Sequence, residues 1–375
     1  MTFVKAAESF TSAPPYRNAP FSARNWGGKW HSLCSYQGKL KPSIAHFLIS
    51  EFTSKGDIVL DPLCGVGTIP FEACCQGRFG IGNDLSRLAY VVTKAKLEAV
   101  KLELVDDELS NLQSYITNFK QSIDLNHLPY SDFGFNKTLS DYFEKNTFAE
   151  ILAARDYFKR LGNSISPEQS LVMASILHIL HGNRPYALSR HSHSLTPYAP
   201  TGNYEYKNLV EHTTSKVHMT TAEQRPVEFR TGEAIFGDFE QLNGLKADAI
   251  ITSPPFAGSL RFYMQNWMRL WFAGWEPADY RNAETAFLDA RQNKDMSVYE
   301  DFFRVCSNNL KSNGIMILHL GKNKKYDMAQ ELQRRCGDYF TAVHCSSEDV
   351  SSIEKHGIKD KGSTAQHQFL FMQKN

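Results

Sequence analysis

The sequence predicts an α/β fold with a mostly parallel sheet, a terminal antiparallel hairpin and a largely helical insertion. Three observations predict it. Short β-rich runs alternate with helical segments over residues 57–100. The alternation stops near residue 101 and resumes near 235. Two late β-rich runs have no helix between them, which is typical of an antiparallel pair.

The first part of the sheet follows a regular order. DIVLD (57–61) reads as a strand, IPFEACCQG as a helix that ends at Gly77, FGIGND (79–84) as a second strand and SRLAYVVTKAKLEAV as a second helix. Strand, helix, strand, helix is the order that begins a parallel sheet, because parallel neighbours need a crossover connection.

The remaining elements divide the chain into an arm, a core and an insertion. Residues 101–234 contain three stretches with helical spacing, DDELSNLQSYITNFKQS, YFEKNTFAEILAARDYFKRL and PEQSLVMASILHILHG, followed by a polar stretch. The core, 41–100 and 235–375, resumes with ADAIIT (247–252), a helix near 261–274, GIMILHL (314–320), a helix near 326–336, and the strands YFTAVHC and HQFLFMQ. Residues 1–40 are rich in Pro, Ser, Asn, Trp and Gly without a sustained period, which predicts an irregular arm that could cover another part of the molecule.

Composition narrows the function classes. With 375 residues, 42% hydrophobic and 22% charged, the chain can form one elaborated domain or two small ones. The net charge of +1 means that a polyanion would have to be held by a local basic patch. The seven cysteines show no zinc-site or disulfide spacing, which favours reduced thiols in the cytoplasm. No run has the length of a signal peptide or membrane span, so neither export nor a membrane location is expected.

The turn LDPLCGVGTIPFEA predicts a cofactor site. It follows a strand and opens a helix, and Gly65 and Gly67 allow a ligand to approach the backbone closely. Asp84 ends the next strand, where a carboxylate can bind a ribose. Pro70 stands where a dinucleotide fingerprint needs its third glycine, and no Gly-Lys-Ser/Thr follows. An adenosine cofactor without phosphate fits better, and S-adenosylmethionine is the leading one.

Three carboxylates are candidates for contacts to this cofactor. Asp61 is predicted to receive the amino group of the methionine part, directly or through water, and Asp84 to hold the ribose. Asp238 could accept the exocyclic amine of adenine beside the ring of Phe239. From spacing alone, a solvated loop acid is an equally good interpretation of Asp238.

Two motifs resemble those of the prokaryotic DNA methyltransferases that modify exocyclic amino groups. DPLCGVGT resembles their cofactor loop Asp-Pro-Phe-x-Gly-x-Gly-Thr, with Leu63 in place of Phe, and TSPPF resembles their catalytic tetrad. HSLCSYQGKLKPSIAHFLI (31–49) is similar to the segment that precedes the cofactor loop in cytosine-N4 members and closes over the methionine end. The resemblance covers roughly 26–100 and 235–320 and implies a Rossmann-like class I methyltransferase sheet. The predicted cofactor-binding residues are Tyr36, Lys39, Asp61, Pro62, Cys64, Gly65, Gly67, Thr68, Asp84, Leu85, Asp238 and Phe239.

The residue types of the tetrad suit an amine substrate. The exocyclic amine of a base is a poor nucleophile, because its lone pair is delocalised into the ring. If the Ser253 side chain and the Pro254 carbonyl accept hydrogen bonds from its two N–H groups, the lone pair can face the methyl group, and Pro254 and Pro255 fix the carbonyls. Phe256 would stack on a flipped base and recover about 1–3 kcal/mol. No general base is assigned, since the methylated amine can lose its proton afterwards.

Several alternatives stay open. A Pro-Pro turn that only closes a buried strand would be the better interpretation of a lone motif, but the cofactor turn in the same sheet favours the catalytic one. Ser253 favours N4 of cytosine, with N6 of adenine as the alternative. Methylation at carbon 5 of cytosine is set aside, because the chain has no Pro-Cys dipeptide. A methyltransferase acting on RNA or on a protein amide, and a noncatalytic nucleic-acid-binding module, are the other hypotheses.

The expected partner is double-stranded DNA, with a separately encoded restriction or defence nuclease as a further candidate. The stretch HGNRPYALSRHSHSLTPYAP combines basic and aromatic side chains suited to phosphates and base edges, although a polar surface loop is the alternative. Target recognition is therefore predicted in the insertion. No metal is expected, because the two neighbouring histidines lack further ligands. The candidate nucleic-acid residues are Arg184, Arg190, His191, His193 and Arg261.

Overall fold

A seven-stranded sheet organises the chain. The computed structural model describes residues 2–23, 25–258, 261–350 and 364–375. Its strands are β1 Ile58–Asp61, β2 Phe79–Asp84, β3 Glu233–Phe236, β4 Ala247–Thr252, β5 Leu310–Asn323, β6 Phe340–Asp349 and β7 Thr364–Lys374, in the order β3-β2-β1-β4-β5-β7-β6. Only β7 is antiparallel to its neighbours β5 and β6. This arrangement confirms the predicted Rossmann-like class I methyltransferase sheet.

Helices cover the sheet and form the insertion. They are α1 Phe3–Ser12, α2 Gly28–His31, α3 Pro42–Phe52, α4 Thr68–Cys75, α5 Arg87–Leu97, α6 Leu102–Ser122, α7 Leu139–Tyr142, α8 Lys145–Leu161, α9 Pro167–Ile179, α10 Leu209–Thr221, α11 Phe262–Gln265, α12 Trp267–Phe272, α13 Asp279–Ala286, α14 Leu288–Lys294, α15 Val298–Asn309 and α16 Met328–Arg335. The single helix predicted near 261–274 is in fact α11 and α12, which meet at Asn266. Among the described residues, no helix combines the length and apolar character needed to cross a membrane.

The helical insertion is fastened to the core by α12. Helices α6 to α10 share one apolar cluster with α5 and α12. The buried Arg269 of α12 donates from Nε to the carbonyl of Leu177, at 2.8 Å, and from its Nη atoms to Ser194 and Leu195. A buried guanidinium is tolerated there because carbonyl oxygens satisfy its donors. The insertion is therefore tied to the segment that follows the Ser-Pro-Pro-Phe tetrad.

Strand β3 was not predicted. It has four residues, pairs in parallel with β2 and lies at the edge of the sheet, where its side chains are exposed or half-buried. The sequence EAIF is too short and too polar at its start to show strand periodicity. The insertion boundary predicted at residue 234 falls inside this strand.

The predicted irregular arm was wrong for its first part, which is helix α1. Phe3, Ala7 and Phe10 follow the i, i+4, i+7 spacing of one helix face. Phe10 packs edge-on against Phe369 of β7, with ring centroids 5.6 Å apart, and Phe3 lies 6.1 Å from Phe371. Three apolar residues are too few to show helical periodicity in the sequence. The helix is stabilised by packing these residues against the face of the sheet.

Gly80 marks the tightest packing between β2 and α4. A Cβ atom at this position would overlap the carbonyl oxygen of Pro70 and lie 3.0 Å from Cys74 Sγ. We expect Gly80→Ala to lower the free energy of unfolding by about 1–3 kcal/mol, because the helix must shift away from the strand. Denaturant titration measures this. Gly337→Ala is the matched control, since a Cβ there meets nothing within 4 Å; equal effects of both changes would contradict the packing argument.

Candidate cofactor and substrate site

The cofactor loop, residues 61–68, connects β1 to α4. Gly65 and Gly67 have φ angles of +52° and +67°, in the left-handed region that favours glycine. A Cβ at Gly65 would lie 3.1 Å from the ring of Tyr36, and one at Gly67 would lie 2.8 Å from the Thr93 side chain. Both the backbone conformation and the close neighbours therefore require glycine at these positions.

Side chains outside the motif hold this loop in place. Lys96 Nζ donates to the Val66 carbonyl at 2.6 Å, and Thr93 Oγ1 donates to the Gly65 carbonyl at 3.1 Å. Burial lowers the pKa of Lys96 to about 7. Sequence reasoning missed both residues, since they lie inside α5 and belong to no recognisable motif.

Asn83, the residue before Asp84, joins two loops. Its Nδ2 donates to the carbonyls of Pro62, at 3.0 Å, and Gly237, at 3.2 Å. The amide of Cys64 in turn donates to the Asn83 carbonyl at 2.9 Å. The end of β2 thus fixes the cofactor loop against the turn that precedes Asp238.

Two carboxylates flank the loop. Asp84 accepts hydrogen bonds from the amides of Gly65, at 2.9 Å, and Ser86, at 2.8 Å. Asp61 is 2% exposed and accepts from the Leu63 amide at 3.1 Å. The pKa of each carboxyl is raised to about 7, mainly by burial, and the charge of Asp84 contributes to the raised pKa of Asp61. A cationic ligand would stabilise the ionised form of these carboxyls and offset the cost of their desolvation, and S-adenosylmethionine carries both a sulfonium and an ammonium.

The segment predicted to close over the methionine end does contact the loop. The ring of Tyr36 lies against Gly65 and 5.3 Å from the ring of Phe262 in α11. Lys39 is half-buried, and its Nζ donates to the His31 carbonyl at 2.8 Å. The structure therefore brings three sequence-distant segments together at the glycines.

The other predicted cofactor residues lie in or beside the loop. Pro62, Cys64 and Thr68 are buried in it, and Leu85 is half-buried after Asp84. Asp238 caps the 3-10 helix Phe239–Gln241 by accepting from the Glu240 amide at 3.1 Å. Phe239 is only 4% exposed and packs against Phe302. Its contact with an adenine stays a prediction.

Helix α14 supports the Ser-Pro-Pro-Phe tetrad, residues 253–256. Gln292 donates to the Pro255 carbonyl at 2.9 Å, and Asn293 accepts from the Gly258 amide at 3.1 Å. Asp289, which is buried, accepts from the Phe262 amide at 2.9 Å. Within the described ranges, no donor reaches the Pro254 carbonyl. The Pro254 carbonyl, which is predicted to accept a hydrogen bond from the substrate amine, therefore accepts none from the described residues.

The two ends of the tetrad both contact β5. Ser253 Oγ lies 3.0 Å from His319 Nδ1. The half-buried ring of Phe256 lies over Gly321, where any Cβ would overlap it. Sequence reasoning missed His319, because a single histidine in the apolar run IMILHL gives no signal of its own.

The candidate nucleic-acid residues are only partly brought together. Arg184 and His191 are exposed on one stretch, and His193 is half-buried there. Arg190 lies on the same stretch, with its guanidinium 4.3 Å from the centre of the Tyr204 ring. Arg261 lies on another element, immediately before α11, and is paired with Glu284.

His178 connects the polar stretch of the insertion, residues 181–200, to the segment that contacts the cofactor loop. His178 Nδ1 lies 3.4 Å from Ser35 Oγ, and its other ring nitrogen lies 3.3 Å from the Tyr186 hydroxyl. Since Ser35 precedes Tyr36, a short chain of contacts connects the polar stretch of the insertion to Gly65.

Part of the chain, including the cofactor loop, is similar to known methyltransferase sequences. The family model described as RMKL-like, methyltransferase domain matches residues 29–119, which include the cofactor loop and Asp84. A curated relative, the type II methyltransferase M.MjaII of Methanocaldococcus jannaschii, is 24% identical over 93 residues, or 25% of this chain and 18% of the relative. The match therefore leaves most of that relative uncovered. These findings support S-adenosylmethionine as the cofactor and a methyltransferase as the class of enzyme.

Solved structures similar to the chain are more distant. TrmN from Thermus thermophilus is 13% identical with a TM-score of 0.34, over 92% of this chain and 52% of that one. The rRNA methyltransferase aviRa from Streptomyces viridochromogenes is 10% identical with a TM-score of 0.31, over 89% and 85%. A modification subunit of a putative type I restriction enzyme from Vibrio vulnificus YJ016 is 11% identical with a TM-score of 0.28, over 89% and 44%. TM-scores this low carry no argument about substrate.

The raised pKa values of Asp61 and Asp84 predict a pH dependence of cofactor binding. Their folded pKa values of about 7 lie above the ordinary value of 3.8, so the protonated form stabilises the free protein at acidic pH and this contribution is lost as pH rises through 7. Ionised carboxylates bind a cation better. We expect the Kd for S-adenosylmethionine to fall about five- to tenfold between about pH 6 and pH 7.5 for each carboxylate that must ionise on binding, measured by calorimetry. Asp61→Asn should flatten the profile; an unchanged profile in that variant would remove Asp61 from this effect.

Proposed function

We propose that the protein is a site-specific DNA methyltransferase that transfers a methyl group from S-adenosylmethionine to the exocyclic amine of a flipped base, with N4 of cytosine favoured. One observation carries the proposal. Strands β1 and β4 are parallel neighbours, with Leu60 opposite Ile250, so the cofactor loop and the tetrad leave the same edge of the sheet side by side. Ligands of open α/β sheets bind at such carboxyl ends, where the strand order reverses.

The chain supplies binding and orientation to this reaction. When bound, S-adenosylmethionine supplies an electrophilic methyl group on a sulfonium. The loop carboxylates, Asp61 and Asp84, would hold the cofactor, and Tyr36, which lies against Gly65, would limit its movement there. Ser253 Oγ and the Pro254 carbonyl would accept hydrogen bonds from the two N–H groups of the amine, which would direct the nitrogen lone pair toward the methyl group. The methylated nitrogen then loses one proton to water, so no side chain has to deprotonate the amine before attack.

The choice of base rests on the tetrad. Serine at its first position favours cytosine in the family that the sequence resembles, and N6 of adenine is the alternative. The curated relative is itself named a type II methyltransferase, which supports a role as the modification partner of a separately encoded nuclease. The same clamp would also suit an amine on RNA or a protein amide, and the assay below separates these substrates.

Recognition of the target is assigned to the insertion. The stretch that contains Arg184, Arg190, His191 and His193 also exposes aromatic rings, with Tyr198 56% exposed. Cations and exposed rings together suit phosphates and unstacked bases. Arg261 would contact the substrate from the tetrad side. This assignment places the DNA across the insertion and the carboxyl edge of the sheet.

Transfer of labelled methyl groups tests the proposed function directly. We expect unmethylated double-stranded DNA incubated with the protein and labelled S-adenosylmethionine to yield N4-methylcytosine, detected by mass spectrometry of nucleosides. Detection of N6-methyladenine would support the same mechanism but show that adenine, and not cytosine, is the target base. Label in RNA or protein alone would reject the DNA assignment. Because the target sequence is unknown, the DNA should be genomic and of mixed base composition.

Substitutions should separate chemistry from cofactor binding. We expect Ser253→Ala to lower the single-turnover rate by at least about tenfold while the cofactor Kd stays within about twofold, because Ser253 is assigned to the substrate amine and not to the cofactor. Asp84→Ala should weaken cofactor binding first, since both of its oxygens organise the loop. Ser215→Ala, on the exposed side of α10, is the control. Equal loss of rate and affinity in Ser253→Ala would contradict its assignment.

A further inference from the structure

A buried histidine lies behind the tetrad and has no role in the scheme above. His319 is on β5, 4% exposed, with Nδ1 3.0 Å from Ser253 Oγ. We propose that His319 is a positioning residue that orients the Ser253 hydroxyl as a hydrogen-bond acceptor for the substrate amine. The inference rests on the proposed function, because it explains how Ser253, one of the two proposed acceptors for the substrate amine, is oriented.

The ring of His319 is held on three sides. The ring of His367 lies edge-on to it, 4.8 Å away at 84°. Phe369 lies 5.1 Å away and Phe256, the last residue of the tetrad, 5.5 Å away. Since β7 pairs with β5 along this stretch, His367 and Phe369 are fixed by the sheet itself. A ring packed in this way gives Ser253 a partner in one defined position.

The environment keeps this imidazole neutral. Burial lowers the pKa of His319 well below its ordinary range, and His367 lowers it further. A neutral imidazole has one donor and one acceptor nitrogen. If Nδ1 is the acceptor, the Ser253 hydroxyl donates its hydrogen to it, and both lone pairs of the serine oxygen remain for the amine. Because the charged form is disfavoured, His319 orients the hydroxyl and does not store a proton.

Stability alone does not explain a histidine here. Its neighbours in β5, Ile317, Leu318 and Leu320, are fully buried and apolar. In the described part of the chain, Nε2 of His319 has no hydrogen-bond partner. A buried polar atom without a partner is destabilising, so an apolar residue would favour folding more. The bond to Ser253 is the feature that accounts for the histidine.

A double-mutant cycle tests this role. We expect His319→Leu to lower the single-turnover rate at saturating cofactor by about tenfold, with a cofactor Kd within about twofold of wild type. His319→Asn should restore part of the rate, because its amide can take the place of Nδ1. In a Ser253→Ala background, His319→Leu should cause no further loss. An equal loss in both backgrounds would overturn the proposal, since the histidine would then act independently of Ser253.

A second measurement does not depend on turnover. Nitrogen-15 NMR of the wild-type protein should show His319 neutral near pH 7 and protonated on Nε2, and its Nδ1 signal should move in Ser253→Ala. A ring protonated on Nδ1, or a signal that does not respond to Ser253→Ala, would reject the inference. Failure of the wild-type protein to methylate DNA, RNA or protein would instead reject the proposed function. The NMR result would still decide whether His319 orients the Ser253 hydroxyl.

Discussion

The site depends on two adjacent side chains at the carboxyl end of β2. Asn83 holds the carbonyls of Pro62 and Gly237, and Asp84 holds the amide of Gly65. These contacts cross from β2 to the loops after β1 and β3, so three neighbouring strand ends become one rigid edge. Backbone groups that are fixed in advance need not reorganise when a ligand binds, which lowers the cost of binding. The glycines of the loop then determine how closely a ligand can approach.

The local parts of this arrangement could be predicted from sequence, and the long-range parts could not. The cofactor loop and the tetrad are short, carry glycine and proline at fixed offsets, and follow apolar runs, so their place at strand ends was readable. Strand β3 and helix α1 were missed because each has too few periodic residues. Lys96, Gln292 and His319 support the motifs from other elements, and single polar residues on otherwise apolar or amphipathic elements give no local sign of their partners.

The same region concentrates groups that folding disfavours. Asp61 and Asp84 have raised pKa values, Lys96 has a lowered one, and His319 leaves a buried nitrogen without a described partner. Each of these groups would be better solvated in the unfolded chain. Their presence at one edge of the sheet follows the general tendency of perturbed titratable groups to gather at functional sites. The large apolar clusters of the insertion and the sheet offset this local instability.

The position of β7 has a consequence for how the chain reaches this structure. Of the elements described, β7 is the last to be synthesised, yet it lies between β5 and β6 and pairs with both. Helix α1, the first to be synthesised, packs on Phe369 and Phe371 of the same strand. Contacts this far apart in sequence slow folding, because a long loop must close before they form. During synthesis, the faces of β5 and α1 that pack on β7 therefore stay uncovered until that strand has emerged from the ribosome.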